Sequence, residues 1–345
     1  MRSRSLLDAD GLFERIEAAG VEHVAFCRDP AAGLRALVVI GSTRRGPALC
    51  GVRVHPYANA DAAVDDGLRL AMAMTVKAAA ADVRLGGGSV IVMADPAADK
   101  DARLLSALGR QLSGFRGRVL AVNDVGSTAD DIAVLGAQAD VCAADPSPFT
   151  ALGVVESIRA ALRARAPGRG VAESVIAVQG AGNVGARVVE LLRQENATVL
   201  VSDVDGDRAN RVAAASGARV VAPEDLLAAE CDVLCPCALG GVITERSARA
   251  LRCGVVCGGA NNILEHAGVE DLLRARGITY VPETLANAGG VIFIAQHALG
   301  NPADAARPEI RRLADSVTTV LAHAASSGTS AGDAVVRLAR ERLRG

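Results

Sequence analysis

The sequence predicts an α/β protein with a mixed sheet in its N-terminal half and a doubly wound, parallel sheet in its C-terminal half. From about residue 174, continuous apolar segments such as "SVIAVQG", "TVLVSD" and "GVVCGG" alternate with segments of helical spacing. Strands that are apolar along their whole length are typical of parallel sheets covered by helices on both faces. Earlier in the chain, "HVAFCRD" and "LRALVVIG" flank the turn "PAAG", which predicts an antiparallel hairpin and therefore mixed strand directions.

The composition indicates two domains with aliphatic cores. The chain has 345 residues, of which 50% are hydrophobic and 2% aromatic, and its 37 basic residues nearly balance 39 acidic ones. This balance, without a basic block, argues against a nucleic-acid partner. Asp8, Asp10 and Glu14 interrupt the N-terminus, unlike a signal peptide, and no apolar run approaches the ~20 residues of a membrane helix. We therefore expect a soluble, cytoplasmic protein that binds neither nucleic acid nor membranes.

Residues 1–142 are predicted to form the first domain. After the hairpin, "PALCGVRVHPY" predicts a third strand, and "DAAVDDGLRLAMAMTVKAAAA" has the apolar spacing of a long helix. "SVIVMAD", "DARLLSALGRQL" and "RVLAVND" then predict a strand, a helix and a further strand. We interpret the glycine triplet Gly86-Gly87-Gly88, directly before "SVIVMAD", as a loop that lets a ligand approach the backbone.

Residues 143–324 are predicted to form the second domain. "DPSPFTALGVVESIRAALRARAPG" predicts a helix that connects the two halves, with Ser147 or Thr150 as its N-cap. Strands and helices then alternate as far as "ITYVPE". The tail is helical, and we expect the C-terminal helix within 325–345 to pack back on the first domain.

The eight cysteines do not have the pattern of a disulfide scaffold. A zinc site is one interpretation of the five that lie in "CDVLCPCALGG" and "CGVVCGG", namely Cys231, Cys235, Cys237, Cys253 and Cys257. The other interpretation is that they are small buried residues of parallel strands. Because the chain contains no Cys-x-x-Cys pair, we favour the second interpretation and expect no metal.

A nucleotide-binding fingerprint follows the first strand of the second domain. "VIAVQGAGNVGARVVELL" places Gly180, Gly182 and Gly185 between a strand and a helix, in the G-x-G-x-x-G pattern of a Rossmann fold. Asp203 ends the next strand, where a carboxylate holds a ribose 2′-hydroxyl and repels a 2′-phosphate. The pattern predicts NAD rather than NADP, although Arg208 lies nearby. The alternative is a glycine-rich turn without a ligand.

Several segments together resemble one enzyme family. "MTVKAAAADVRLGGGSVIVMADP", "NDVGST", "DPSPFTALGV", "VQGAGNVG", "PCALGG", "GGANN" and "NAGGVI" occur in the order of the glutamate/leucine/phenylalanine/valine dehydrogenases, and most resemble the leucine and valine branch. The resemblance spans nearly the whole chain. It implies oxidative deamination of an L-amino acid to a 2-oxo acid with NAD, an N-terminal substrate domain followed by a Rossmann domain, and a homo-oligomer.

The resemblance also implies roles for particular residues. Lys77 matches the lysine that binds the substrate carboxylate, and Asp124 matches the catalytic aspartate. A solvated lysine at a helix end and an ordinary turn aspartate are the alternatives. Cys50, Gly51 and Asn262 match positions at the substrate. The positions at the cofactor are Gly180, Ala181, Gly182, Asn183, Val184, Gly185, Asp203, Ala238 and Asn261.

Two of these positions depart from the family pattern. Cys50 replaces a glycine, and we expect its side chain to border the carboxylate site. Ser89 replaces the central catalytic lysine that follows the glycine triplet, and a serine is not cationic near neutral pH. Three hypotheses follow. The first is a working amino-acid dehydrogenase with rearranged acid–base groups. The second is a related oxidoreductase acting on an imine, an amine or an unusual amino acid, and the third is a non-catalytic homologue that binds NAD or an amino acid and acts as a partner or regulator.

Overall fold

The computed structural model describes residues 11–344, which fall into two compact units. The first comprises the chain up to Asp145, with His297–Gly300 and the end of the chain from Ala339. The second comprises Pro146–Gln296 and Asn301–Leu338. The segment 325–345 is therefore divided between the two units. Asp8 and Asp10 lie outside the described residues, and within them no helix is long and apolar enough to cross a membrane.

The first unit is a five-stranded mixed sheet with helices on both faces. Its strands are β1 (His23–Asp29), β2 (Leu34–Ser42), β3 (Ala48–His55), β4 (Gly86–Met93) and β5 (Val119–Asn123). Its main helices are α1 (Leu12–Ala19), α2 (Ala60–Ala80), α3 (Ala102–Ser113) and α4 (Ala129–Leu135). The strand order is β1-β2-β4-β3-β5. Strand β2 is antiparallel to both of its neighbours, β1 and β4, whereas β3 is parallel to both of its neighbours, β4 and β5. The predicted hairpin and mixed sheet are confirmed.

The glycine triplet corrects a prediction, because it lies inside β4 rather than in a loop. A Cβ on Gly86 would lie 1.8 Å from the Ser42 carbonyl oxygen, and a Cβ on Gly87 would lie 2.0 Å from the Thr75 amide nitrogen in α2. Such distances leave no room for any side chain. The triplet therefore allows β2 and α2 to pack closely against β4.

The second unit is a six-stranded parallel sheet. Its strands are β6 (Val175–Gln179), β7 (Thr198–Ser202), β8 (Arg219–Val220), β9 (Val233–Pro236), β10 (Val255–Val256) and β11 (Thr279–Tyr280). Its helices are α5 (Ser147–Arg165), α6 (Asn183–Gln194), α7 (Gly206–Ser216), α8 (Pro223–Leu226), α9 (Glu245–Ala250), α10 (Gly268–Ala275), α11 (Glu283–Ala286), α12 (Gly289–Ala298), α13 (Ala306–Arg311), α14 (Leu313–Ser327) and α15 (Ala331–Arg344). The ends of α12 and α15 belong to the first unit. The order β11-β10-β9-β6-β7-β8 reverses between β6 and β9, which is the doubly wound arrangement that was predicted.

The start of α5 differs from its prediction, whereas the end of the C-terminal helix joins the first unit as expected. Pro146 occupies the cap position of α5, so neither Ser147 nor Thr150 is its N-cap, and the Thr150 hydroxyl instead donates to the Pro146 carbonyl at 3.1 Å. The end of α15 packs on the first unit from Ala339 onward. There the Arg342 carbonyl accepts a hydrogen bond of 2.9 Å from Arg45, and the Arg342 guanidinium donates to Ala80.

Candidate functional site

The turn after β6 has the geometry of a dinucleotide-binding turn. Gly180 has a φ of +96°, and a Cβ there would lie 2.9 Å from the Cβ of Ala238. A Cβ on Gly185 would lie 1.9 Å from the Gly180 carbonyl oxygen. A Cβ on Gly182, in contrast, would meet no heavy atom of residues 11–344 within 4 Å. Two glycines therefore serve the packing of α6 against the strand, and Gly182 leaves space beside the helix N-terminus.

Asp203 organises this turn. Its Oδ2 accepts a hydrogen bond of 2.7 Å from the Ala181 amide, and its Oδ1 accepts one of 2.9 Å from the Asp205 amide. Burial would raise the pKa of Asp203, but these amides and Arg208, 3.8 Å away, hold the pKa below its usual value. The carboxylate is therefore ionised, and each oxygen retains a further lone pair that can accept from a ribose hydroxyl.

Three buried side-chain oxygens near the carboxyl edge of the second sheet fit a polar ligand. Gln179 Oε1 and Ser202 Oγ lie opposite each other at the ends of β6 and β7, and Asn287 Oδ1 precedes α12. None of the three has a hydrogen-bond partner among the described residues. Since buried oxygens are seldom left unsatisfied, the donor and acceptor set fits a dinucleotide. These residues were missed from sequence, although polar residues at the ends of apolar strands are a signal for them.

Asn261 and Asn262 lie in the segment after β10. The Asn287 side-chain amide donates to Asn261 Oδ1 at 2.8 Å and to the Gly259 carbonyl at 3.3 Å. Asn262 has a φ of +49°, a conformation that Asn tolerates, and its amide donates to Glu283 at 3.1 Å. Asn287 thus fixes the Asn261 side chain at the same end of the sheet as the glycine turn.

Of the five cysteines of the second unit, two are buried and three are partly exposed. Cys235 and Cys257 are 0% exposed, and burial raises the pKa of the Cys257 thiol. Within residues 11–344, no three cysteine, histidine, aspartate or glutamate side chains are grouped so that they could hold a metal ion. Cys235 and Cys257 therefore have the surroundings expected of small buried residues in parallel strands.

In the first unit, the turn after β5 fixes Asp124. The Asp124 amide donates to Ser127 Oγ at 3.0 Å, and Ser127 Oγ in turn donates to the Val52 carbonyl at 2.6 Å. Gly126 has a φ of +76°, and a Cβ there would lie 2.0 Å from the Val54 carbonyl oxygen. The turn is therefore held tightly against β3, and the Asp124 side chain remains 27% exposed.

Arg53 joins Asp124 to helix α2. Its Nε donates to Asp124 Oδ2 at 2.8 Å, and its Nη1 donates to Asp66 Oδ2 at 2.8 Å. The Tyr57 hydroxyl also donates to Asp66. Burial would raise the pKa of Asp66, but the bonds from Tyr57 and Arg53 hold it below its usual value. Arg53, Asp66 and Tyr57 were missed from sequence, because nothing in the local pattern joins β3 to the middle of α2.

Gly51 lies between Asp124 and Ser89. Gly51 pairs with Ser89 on β4 and with Val122 on β5, and a Cβ on Gly51 would lie 3.1 Å from the Asp124 Cβ. Ser89 itself is 0% exposed, and its hydroxyl donates to the Gly67 carbonyl of α2 at 2.8 Å. Position 89 therefore lies inside β4, as the predicted strand "SVIVMAD" requires, and is closed to solvent. Its serine is a buried hydrogen-bonding residue beneath α2.

The expectation that the Cys50 side chain borders the carboxylate site is wrong. Its side chain is 0% exposed and belongs to the apolar core formed with α3 and α4, whereas α2 covers the other face of the sheet. A Cβ on Gly88 would lie 2.6 Å from the Cys50 sulfur. Cys50 therefore fills the core and does not border the residues around Asp124. Lys77 lies in the last turn of α2 and is partly exposed, at a helix end where a cation is favoured.

Comparison with known proteins identifies relatives along nearly the whole chain. Residues 21–143 match the family model of the Glu/Leu/Phe/Val dehydrogenase dimerisation domain, and residues 207–323 match that of the Glutamate/Leucine/Phenylalanine/Valine dehydrogenases. Leucine dehydrogenase of Bacillus subtilis is 36% identical over 96% of this chain and 94% of its own length. Phenylalanine dehydrogenase of Thermoactinomyces intermedius is 33% identical, over 96% of this chain and 94% of its own.

A solved structure extends the likeness to three dimensions. The crystal structure of L-tryptophan dehydrogenase from Nostoc punctiforme is 34% identical and superposes with a TM-score of 0.90. The match covers 96% of this chain and 98% of that one. The similarity therefore includes both units and the segments that carry the glycine turn, Asp124 and Lys77.

Proposed function

The chain belongs to the glutamate/leucine/phenylalanine/valine dehydrogenase family, and on that premise we propose that it oxidises an aliphatic L-amino acid to a 2-oxo acid and ammonia. As a member of this family it is an NAD-dependent enzyme that acts on a CH–NH2 group. The observation that supports the proposal is the ionic contact of Arg53 with Asp124 beside Gly51, because Asp124 matches the family's catalytic aspartate by the sequence resemblance.

Each residue at the proposed site has a distinct role. Lys77 binds the substrate carboxylate, and Asp124 takes and returns the protons of the amine and the attacking water. Gly51 and Asn262 are the other positions that the sequence resemblance assigns to the substrate. NAD, when bound, accepts the hydride of the substrate Cα. The cofactor is held by the turn from Gly180 to Gly185 and by Asp203, Ala238 and Asn261, with Asp203 favouring NAD over NADP.

We propose that Ser89 is the position at which this enzyme departs from the family pattern. Without an ammonium at position 89, acid–base work falls to Asp124. Arg53 donates to that carboxylate, and its own pKa is too high for it to transfer protons itself. Burial lowers the pKa of Arg53, but Asp124 and Asp66 more than offset this and raise it. Loss of one preorganised donor costs ~10²–10³ in rate, so we expect a slow enzyme.

A substrate panel tests the proposal. We expect NADH formation with L-leucine or L-valine, and little with the matching amines, because an amine has no carboxylate for Lys77. Lys77→Ala should raise the Michaelis constant for the amino acids by ~10²-fold, in keeping with loss of a charge-assisted contact, and change it little for amines. Arg103→Ala is a control that also removes a cation, since Arg103 is 72% exposed and pairs with Asp101 at 4.0 Å, away from the turn that holds Asp124. Equal kinetics of Lys77→Ala and wild type would contradict the assigned role.

The hydrogen bond from Ser89 to Gly67 favours a second candidate, a homologue that binds NAD and an amino acid or imine without ordinary deamination. Ser89→Lys separates the two. Because position 89 pairs with Gly51 beside Asp124, a lysine there should raise leucine-dependent NADH formation by ~10²-fold. Position 89 is fully buried beneath α2, so circular dichroism must first show that the variant is folded. Since Cys50 faces the other side of the sheet, the substitution needs no second change. If wild type and Ser89→Lys both bind NAD and turn over no amino acid or amine, the second candidate is favoured.

We also propose that the chain forms a homo-oligomer through its first unit. The matched model of that unit is described as a dimerisation domain, and Phe26 on the edge strand β1 is 61% exposed. An exposed aromatic on an edge strand is typical of a protein interface. Mass measurement in solution should give a multiple of the chain mass, and Phe26→Asp should lower it.

A further inference from the structure

A pair of cysteines lies at the amino edge of the second sheet, opposite the edge that carries the glycine turn. Cys231 precedes β9 and Cys253 precedes β10, and these strands are parallel neighbours. The bridge between Glu230 and Arg252 has the same register as the strand pairs that follow, so Cys231 lies directly opposite Cys253. Neighbouring strands are ~4.8 Å apart, which lies within the ~4.4–6.8 Å Cα separation of disulfides.

Both cysteines line a cavity of about 540 Å³ and are partly exposed. The charged residues of the same cavity are Arg165, Arg169, Arg252, Glu230 and Asp232. Arg169 pairs with Asp232 at 2.8 Å and Arg252 pairs with Glu230 at 2.9 Å, whereas Arg165 donates to the Gly277 carbonyl. The lining therefore has an excess of positive charge, which favours anionic reagents.

The two thiols differ in acidity. The hydrogen bond from the Cys231 thiol lowers the pKa of Cys253, and Arg276 acts in the same direction against the effect of burial. The same hydrogen bond raises the pKa of Cys231. Arg276 is held in place by bonds of 2.6 Å and 2.9 Å to the carbonyls of Ala248 and Leu251. Because the thiolate is the nucleophile, Cys253 is the sulfur that attacks first.

We propose that Cys231 and Cys253 form an oxidisable dithiol that reacts with anionic low-molecular-weight disulfides. The Cys253 thiolate attacks one sulfur of the small disulfide, forms a mixed disulfide and releases one thiolate. The Cys231 thiol then loses its proton and attacks the Cys253 sulfur, which releases the second thiolate. The protein dithiol is oxidised by two electrons, and the small disulfide is reduced to two thiols that take up the two protons.

The same two strands contain a matched internal control. Cys235 and Cys257 lie four residues further along each strand with the same offset, so their backbones have the same spacing. Both are 0% exposed, in contrast to the partly exposed Cys231 and Cys253. Reaction with a small disulfide requires access to the sulfur, so the buried pair should remain reduced. A reaction that modifies Cys231 and Cys253 but not Cys235 and Cys257 would therefore show that access through the cavity determines reactivity.

Oxidised glutathione is the probe for the reduced, full-length protein. We expect the intact mass to fall by two hydrogens and peptide mapping to join Cys231 to Cys253. Cys231→Ser should instead retain one glutathione on Cys253, and Cys253→Ser should yield no cross-link. Cys235→Ser should behave as wild type. The cross-link closes a loop of roughly 20 residues and should raise the melting temperature by about 5 °C or more.

Several results would overturn the proposal. Reaction at other cysteines before this pair, a Cys235–Cys257 cross-link, or full retention of both thiols would each contradict it. Cystamine, a cationic disulfide, should react more slowly than oxidised glutathione, and a faster reaction would contradict the anionic class. If Cys231→Ser is poorly folded, Cys231→Ala can replace it, because it also removes the thiol that attacks the mixed disulfide on Cys253. None of these readouts depends on the proposed dehydrogenase activity.

Discussion

The two units each contain a glycine-rich segment, and the two segments have opposite purposes. In β4, Cβ atoms on Gly86 and Gly87 would lie 1.8 Å and 2.0 Å from atoms of the protein itself. In the turn after β6, a Cβ on Gly182 would meet no atom of the described chain within 4 Å. The first segment makes room for β2 and α2, and the second leaves open space at the start of α6, where we propose that the cofactor binds. The role of a glycine-rich segment can therefore be assigned only when the atoms around it are known.

Gly87→Val tests the first half of this comparison and should have the largest effect. The added atoms would overlap the Met74 and Thr75 backbone of α2, which cannot move as a flexible side chain can. Overpacking against backbone should cost more than ~4 kcal/mol of unfolding free energy, enough to abolish folding in a marginal domain. Circular dichroism and thermal denaturation measure it. A folded variant with an unchanged melting temperature would show that the triplet is not a packing element.

Gly182→Val tests the other half. Because nothing in the described chain lies near the added side chain, the melting temperature should stay close to that of wild type. NAD affinity should fall by ~10²-fold or more, since the side chain blocks the approach of the pyrophosphate. Titration calorimetry with NAD and NADP measures this, and wild type should bind NAD more tightly. Unchanged NAD binding by a folded Gly182→Val would show that the turn does not hold the cofactor.

The two units also differ in how they bind a partly buried carboxylate, and the pH dependence of stability tests this difference. The expected effect is smaller than those of the two glycine substitutions. Backbone amides hold Asp203, whereas the Arg53 guanidinium and Tyr57 hold Asp66. Since folding lowers the pKa of Asp66, its contribution is complete above the unfolded pKa of ~3.9 and is lost as pH falls through the folded pKa. Asp66→Asn should therefore cost about 1–3 kcal/mol at neutral pH and progressively less below pH ~4.

A more exposed ion pair provides the control for this pH dependence. Asp61 is 75% exposed in its pair with Arg15, and such pairs contribute ~0–1 kcal/mol. Asp61→Asn should therefore change the unfolding free energy little at any pH. If Asp66→Asn and Asp61→Asn gave the same small, pH-independent change, the Arg53 contacts would be ordinary surface pairs. Urea denaturation at several pH values distinguishes these outcomes.

Features with short-range causes could be predicted from the sequence. The hairpin, the parallel sheet and the turn from Gly180 to Gly185 follow from local apolar patterns and glycine spacing, and the structure has all of them. The contacts around Asp124 could not be predicted, because Arg53 of β3 contacts Asp66 of α2 only after the helix has packed across the strand. Cys50 was misplaced for a related reason. Strand alternation puts it on the opposite face from Gly51, and that required the exact limits of β3.

The central claim is that Asp124, held by Arg53, performs acid–base chemistry in an NAD-dependent amino-acid dehydrogenase that has serine at position 89. Steady-state NADH formation from L-leucine or L-valine by wild type and Asp124→Asn tests it most directly. We predict measurable turnover by wild type and a loss of ~10²–10⁴-fold in kcat for Asp124→Asn, with NAD affinity unchanged. Equal turnover by the two proteins, or no turnover by wild type with any L-amino acid while it binds NAD, would contradict the account.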